Sequence, residues 1–146
     1  MLHCYVDASY DPPVLGCGYI ITETSRGDER LVNAGCKILH TEAVLPHVDW
    51  CSMRAEYRAV ISGVRAALPH ATNPLMLYSD NDHIVDAIRT REWFGEPYFD
   101  HALFSFLGRF EDWHVTNIDR ERNDLAHEQA RIGLKLGRDI VRGFES

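Results

Sequence analysis

No stretch of this chain is apolar for anything like the roughly 18 residues that a membrane-spanning helix needs, so no membrane role is expected. The amino terminus, Met1-Leu2-His3-Cys4, lacks a basic region followed by an apolar core. No secretory signal is therefore expected, and the expected compartment is cytoplasmic. Cysteine is sparse: Cys4, Cys17, Cys36 and Cys51, with no Cys-x-x-Cys pair, read most simply as reduced thiols. Cys36-x3-His40 and His47-x3-Cys51 carry zinc-type ligands, but these gaps match no common structural-zinc pattern. A strand followed by a histidine-bearing loop accounts for them equally well. Positive charge is also short. A net charge of −7 does not suggest a basic nucleic-acid scaffold. It leaves room for phosphate contacts carried by divalent metals or by a local arginine set. Repeats, linkers and low-complexity tracts are absent, so one domain over residues 1–146 is expected, long enough to bury a core.

What is present begins with a strand, Leu2-His3-Cys4-Tyr5-Val6-Asp7, closed by a carboxylate and followed by small residues. Asp11-Pro12-Pro13 must turn, because proline cannot continue a ladder. Leu15–Glu23 and Arg30–Leu39 follow as second and third strands, which favours an antiparallel meander. His40–Trp50 reads as a loop, expected to lie over the site. Ser52 is placed to cap a helix in which Tyr57, Val60, Ile61, Val64 and Leu68 recur at helical spacing, with Glu56 in its first turn and Pro69 at its end. Leu75–Tyr78 reads as a strand buried on both faces, as in a parallel pairing. Ser79–Asp82 starts a second helix, Trp93–Pro97 is a break, and Tyr98–Phe110 is a third helix. Trp113–Ile118 is a last strand. From Asn123 a final helix is expected to turn Leu125, Ile132, Leu136 and Ile140 toward the core. The order β-β-β-α-β-α-α-β-α implies an α/β fold, a mixed sheet flanked by helices.

Burying the carboxylate of Asp7 is costly unless something neutralises it. If the first and fourth strands are adjacent and parallel, Asp7 and Asp80 emerge together at the carboxyl edge of the sheet, where open α/β sheets place their sites. A helix entering over that edge adds Glu56. Three carboxylates so close repel without a cation, and oxygen ligands suit Mg²⁺ or Mn²⁺. Two such ions about 4 Å apart are a recurrent device for phosphodiester hydrolysis. Each residue alone also has a structural account. Asp80-Asn81 is a good helix cap, and the helix dipole favours Glu56 in a first turn.

Four blocks, read together, carry a resemblance. They are Tyr5-Val6-Asp7-Ala8-Ser9 with Gly16-x-Gly18; Arg54-Ala55-Glu56-Tyr57-Arg58-Ala59-Val60 with Gly63-x-x-Ala66-Ala67-Leu68; Tyr78-Ser79-Asp80-Asn81; and Arg120-x-x-Asn123-x-x-Ala126. In this order they resemble the ribonuclease H type I family, most of all its short, reverse-transcriptase-like branch. The resemblance implies a ribonuclease H-like fold, a five-stranded mixed sheet with three antiparallel strands first. It implies metal-dependent hydrolysis of the RNA strand of RNA–DNA hybrids, leaving a 5′-phosphate, with two Mg²⁺ or Mn²⁺ held by Asp7, Glu56 and Asp80.

Two departures from the family pattern matter. The fourth family carboxylate follows the asparagine by four residues, where this chain has His127; Asp124 lies three residues before it on roughly the same helical face. Register favours His127 as the residue completing the site, as a nitrogen ligand or a proton carrier near neutral pH; Asp124 is the alternative. Before Glu56, Ser52-Met53-Arg54 stands where family members often carry asparagines that touch nucleic acid, and the basic hybrid-binding insertion of some relatives is absent. Ser9, Arg54, Arg120 and Asn123 remain as candidate nucleic-acid contacts, Ser9 through the 2′-hydroxyls that mark RNA. The expected partner is an RNA–DNA hybrid, bound by a monomer with no obligate protein partner. A ribonuclease H-like binding module that holds nucleic acid or protein without cutting, and a structure-specific DNA nuclease, are the competing readings.

Overall fold

The structure, a computed structural model, describes residues 1–71, 73–92 and 97–145. The strands are β1 (Leu2–Asp11), β2 (Val14–Ser25), β3 (Asp28–His40), β4 (Leu75–Ser79) and β5 (Trp113–Asn117). The helices are α1 (Ser52–Ala67), α2 (Asp82–Thr90), α3 (Pro97–Leu107) and α4 (Asp124–Glu145). The sheet order is β3-β2-β1-β4-β5, antiparallel across the first three strands and parallel from β1 to β4 to β5. This is the architecture expected from the sequence. The expected break at Trp93–Pro97 falls largely outside the described residues. Among those described, no helix is long and apolar enough to cross a membrane.

The side-chain period of two along each strand sorts the core. Leu2, Cys4 and Val6 of β1, Leu75 and Leu77 of β4 and Val115 of β5 point to one face and are buried there. That face meets Tyr57, Val60, Ile61 and Val64 of α1, Ile84, Val85 and Ile88 of α2, and Phe99, Leu103 and Leu107 of α3. Each fully buried aliphatic side chain contributes about 1.5–3 kcal/mol, so this cluster dominates stability. The loop after β3 buries Val48 and sets Trp50 against the Phe99 ring, 5.6 Å between centroids.

The opposite face carries His3, Tyr5, Asp7 and Ser9 of β1 and Gly16, Gly18 and Ile20 of β2. Among the described residues only α4 covers it, over the meander. The β4–β5 half is left uncovered, which is why Met76 and Tyr78 are only half-buried although β4 was expected to be buried on both faces. Tyr78 stacks on Tyr5 at 4.5 Å, and its hydroxyl meets His3 Nδ1 at 2.8 Å.

Helix α4 corrects another expectation. Leu125, Ile132, Leu136 and Ile140 do not face the core; they are 70, 40, 47 and 54 % exposed. The docked face is built instead from Ala126, Ala130, Gly133 and Gly137, with the sheet offering Gly16 and Gly18. A Cβ on Gly18 would lie 2.2 Å from the Ala126 carbonyl oxygen, and one on Gly16 would lie 2.2 Å from that of Ala130. Helix and strand therefore touch backbone to backbone, a contact only small residues allow. The helix starts also differ from expectation. Cys51, not Ser52, occupies the α1 cap position, without a side-chain bond. Helix α3 ends at Leu107, before Gly108.

Gly18→Ala is expected to destabilise the protein by about 3 kcal/mol, because the added methyl meets helix backbone that cannot move aside. Leu136→Ala, on the exposed stripe, should stay within about 0.5 kcal/mol of wild type. Urea unfolding of the two variants checks both.

Candidate active site

Asp7 lies within β1 rather than at its end, since the strand continues to Asp11. What ends near it is the parallel ladder. The last β1–β4 pair is Tyr5–Tyr78, and two residues further along each strand path stand Asp7 and Asp80. The register therefore brings the two carboxylates level at the carboxyl edge of the parallel sheet. The turn that presents Asp80 is tied from both sides. The Asn81 amide donates to Ser79 Oγ at 3.1 Å, and the Ser79 carbonyl accepts from the Ile118 amide at 3.0 Å and Asn117 Nδ2 at 3.2 Å. Asn81, not Asp80, caps α2: its side chain accepts from the Ile84 amide at 3.2 Å. Asp80 is thus free of the structural role that its sequence context offered.

Glu56 is the fifth residue of α1, and the first turn holds no acid. A helix dipole acts within its first turn, so it gives little reason for a carboxylate at this position. Burial, then the charges of Asp7 and Asp80, push the Glu56 carboxyl up to about 8, with Arg120 pulling the other way. Asp7, only 4 % exposed, is likewise raised, by burial first and Asp80 next, against the hydrogen bonds from His127 and the Ala8 amide. Glu56, Asp80 and Arg120 line one open pocket with Asn81, Asp82 and His83.

From α4, His127 Nδ1 lies 2.6 Å from Asp7 Oδ2, an imidazole N–H donating to the carboxylate. One turn earlier Asn123, 1 % exposed, donates from Nδ2 to the Val6 carbonyl at 2.8 Å, just past the end of the parallel ladder. Its Oδ1 is buried with no protein partner among the described residues. Asp124 is exposed at the start of α4.

Of the other candidates, Ser9 lines a groove of about 500 Å³ with His127, Arg131, Lys135 and Arg138. Arg138 pairs with Asp11, and Arg131 with Glu128 at 3.5 Å. These basic residues on α4 were not singled out from the sequence; their recurrence at one-turn spacing was the available signal. Arg54 turns back into its own loop, donating to the Asp49 carbonyl at 2.6 Å.

The donor set fits divalent metal. Asp7, Glu56 and Asp80 face one another closely enough that their charges disfavour joint ionisation, and a hard cation with oxygen ligands relieves that. Their side chains are not drawn onto one point. Among the described residues, no group of three or more His, Cys, Asp or Glu converges as a ready metal cage, and this includes Cys36, His40, His47 and Cys51.

A five-stranded sheet in this order, with acidic residues at its carboxyl edge and a helix laid across the meander, defines the ribonuclease H-type fold. The chain belongs to the reverse transcriptase-like family, whose model matches residues 33–133. It is similar to the structure of RNase H1 from the halophilic archaeon Halobacterium salinarum NRC-1, with a TM-score of 0.76 at 20% identity, covering 92% of this chain and 97% of that one. The N-terminal RNase H domain of a Mycobacterium tuberculosis protein gives a TM-score of 0.76 at 14% identity, covering 96% and 97%. LC11-RNase H1, in complex with an RNA/DNA hybrid, gives 0.70 at 14%, covering 92% and 97%. No curated protein sequence matches the chain.

The raised carboxyl of Glu56 has a consequence for stability. Unfolded, Glu56 titrates near its ordinary value of 4.5; folded, near about 8. Between these values the native state holds more protons than the unfolded state, so stability falls as pH rises through that window. Metal-free wild type should lose unfolding free energy from pH 5 to pH 8, and Glu56→Gln should lose markedly less. Denaturant titrations in EDTA at the two pH values test this.

Proposed function

We propose that this protein is a metal-dependent endonuclease that hydrolyses the RNA strand of RNA–DNA hybrids. The observation that carries the reading is the level placement of Asp7 and Asp80 beside Glu56 on a ribonuclease H-type fold, where the Asp80 charge raises the proton affinity of both Asp7 and Glu56. Asp7, Glu56, Asp80 and His127 would hold two Mg²⁺ or Mn²⁺. When bound, these ions supply activation of water and stabilisation of the leaving ribose oxygen.

The chain's own residues have separate tasks. His127 orients Asp7 through its 2.6 Å bond and holds a proton at Nδ1 beside the reacting edge. Asn123 fixes that edge by holding the Val6 carbonyl. Arg120, in the pocket with Glu56 and Asp80, is set to meet a phosphate that would otherwise be repelled by the carboxylates. Ser9 faces the groove flanked by Lys135 and Arg138, a place for a 2′-hydroxyl and the adjoining backbone. Asp124, exposed at the helix start, is the weaker candidate for completing the site.

One observation favours a second reading. The bond from His127 already partners the Asp7 carboxylate, an arrangement that suits a module which holds nucleic acid without cutting it.

Cleavage of a labelled RNA–DNA hybrid, with Mg²⁺ and separately with Mn²⁺, separates the two. Asp80→Asn is expected to lower the rate by at least ~100-fold with the fold intact by circular dichroism. His127→Ala should lose more activity than Asp124→Ala. Hybrid binding without turnover by wild type in either metal would establish the binding module and sink the nuclease. A panel including duplex DNA and duplex RNA checks substrate class.

A further inference from the structure

On the flank of α1 away from Glu56, a cavity of about 320 Å³ opens between the helix and the β3 edge of the sheet. Its charged lining is Lys37 from β3 and Arg58 and Arg65 from α1, with Tyr19 and Ser62 beside them. The sign is unexpected in a chain of net charge −7. Arg58 is partly buried, and its guanidinium donates from Nη1 to the neutral Ser62 hydroxyl at 2.6 Å. Among the described residues, no carboxylate pairs with Lys37, Arg58 or Arg65, although five other arginines do find acidic partners. Burial, and the like charge of Arg65, press the Arg58 guanidinium below its usual value, against opposing pulls from Cys17 and Tyr98.

A partly buried cation with two like neighbours and no counter-charge is costly to keep. The cost is removed by an anion seated among the three. A guanidinium, a second guanidinium and an ammonium around one open cavity match a tetrahedral oxyanion better than a planar carboxylate, since the donors approach from different elements and not as a single fork. We propose that Lys37, Arg58 and Arg65 form a phosphate-binding site, separate from the carboxylate edge. The phosphoryl group has two possible sources, a backbone phosphate of the nucleic acid held at the carboxylate edge or a separate phosphate-bearing ligand. Arg58, Ser62 and Arg65 stand two, six and nine residues beyond Glu56, so the cavity spans about 3–14 Å along the α1 axis from it and is set apart by lying on another flank of the helix. The inference does not require that the protein cut anything.

The test uses thermal unfolding in phosphate-free buffer, then with millimolar inorganic phosphate, against sodium chloride of equal ionic strength. Phosphate should raise the wild-type Tm by roughly 2–4 °C over the chloride control. Arg58→Gln and the double variant Lys37→Gln, Arg65→Gln should each lose that increment. Without phosphate, Arg58→Gln should match or exceed the wild-type Tm, because an unpaired charge has gone; a merely structural arginine would lower it. The double variant alters two exposed side chains and carries the test should Arg58→Gln fold poorly. No phosphate-specific increment in wild type, or an increment retained in the double variant, overturns the proposal.

A second arm assigns the source. In the Asp80→Asn background, hybrid affinity is measured against salt with and without Arg58→Gln. A salt slope reduced by about one assigns the site to a backbone phosphate. An unchanged slope, with the inorganic phosphate effect intact, assigns it to a separate ligand. Absence of any hybrid binding counts against the nuclease reading alone and leaves the phosphate arm standing.

Discussion

Direct backbone contact between α4 and β2 is the constraint on which the candidate site depends. Gly16 and Gly18 leave the strand bare, and Ala126, Ala130, Gly133 and Gly137 leave the helix nearly so. At that separation the first turn of α4 reaches past β2 to β1. Asn123 then meets the Val6 carbonyl and His127 meets Asp7. Larger residues in the seam would lift the helix, and both bonds would open together. The apolar residues of α4 therefore do not dock the helix; its glycines and alanines do.

Electrostatics then give the edge its character. Asp7 and Glu56 are held where burial disfavours their ionised forms, with Asp80 adding like charge to both. Such a site is poorly suited to standing ionised and alone, and it is well suited to a hard divalent cation. The opposite imbalance sits on the other flank of α1, where Lys37, Arg58 and Arg65 gather without acids. One helix thus stands between an acidic edge and a basic cavity.

The uncovered half of the sheet follows from the same economy of helices. With α1, α2 and α3 on one face, α4 alone among the described elements covers the other. His3, Tyr5 and Tyr78 close the remainder by stacking and hydrogen bonding among themselves. Their alternation with buried Cys4 and Leu77 is why β4, read from sequence as buried throughout, is half open.

The sequence by itself determined the order of elements, because apolar residues repeat with period two in the strands and near 3.6 in α1 and α2. It offered Asp7 and Asp80 as a pair on the condition that the first and fourth strands lie adjacent and parallel, and the observed pairing of β1 with β4 meets that condition. It could not say which flank of α4 docks. Period alone pointed to Leu125, Ile132, Leu136 and Ile140, and close approach selected the small residues instead. Register favoured His127 over Asp124, but the two share a helical face within one turn, and the sequence could not show which of them reaches Asp7. Only the distance between α4 and β1, fixed by glycines far away in sequence, put the imidazole on Asp7 and left Asp124 in solvent. The cation cavity was equally hidden, because Lys37 is brought to Arg58 and Arg65 by packing across elements, and no local pattern encodes that.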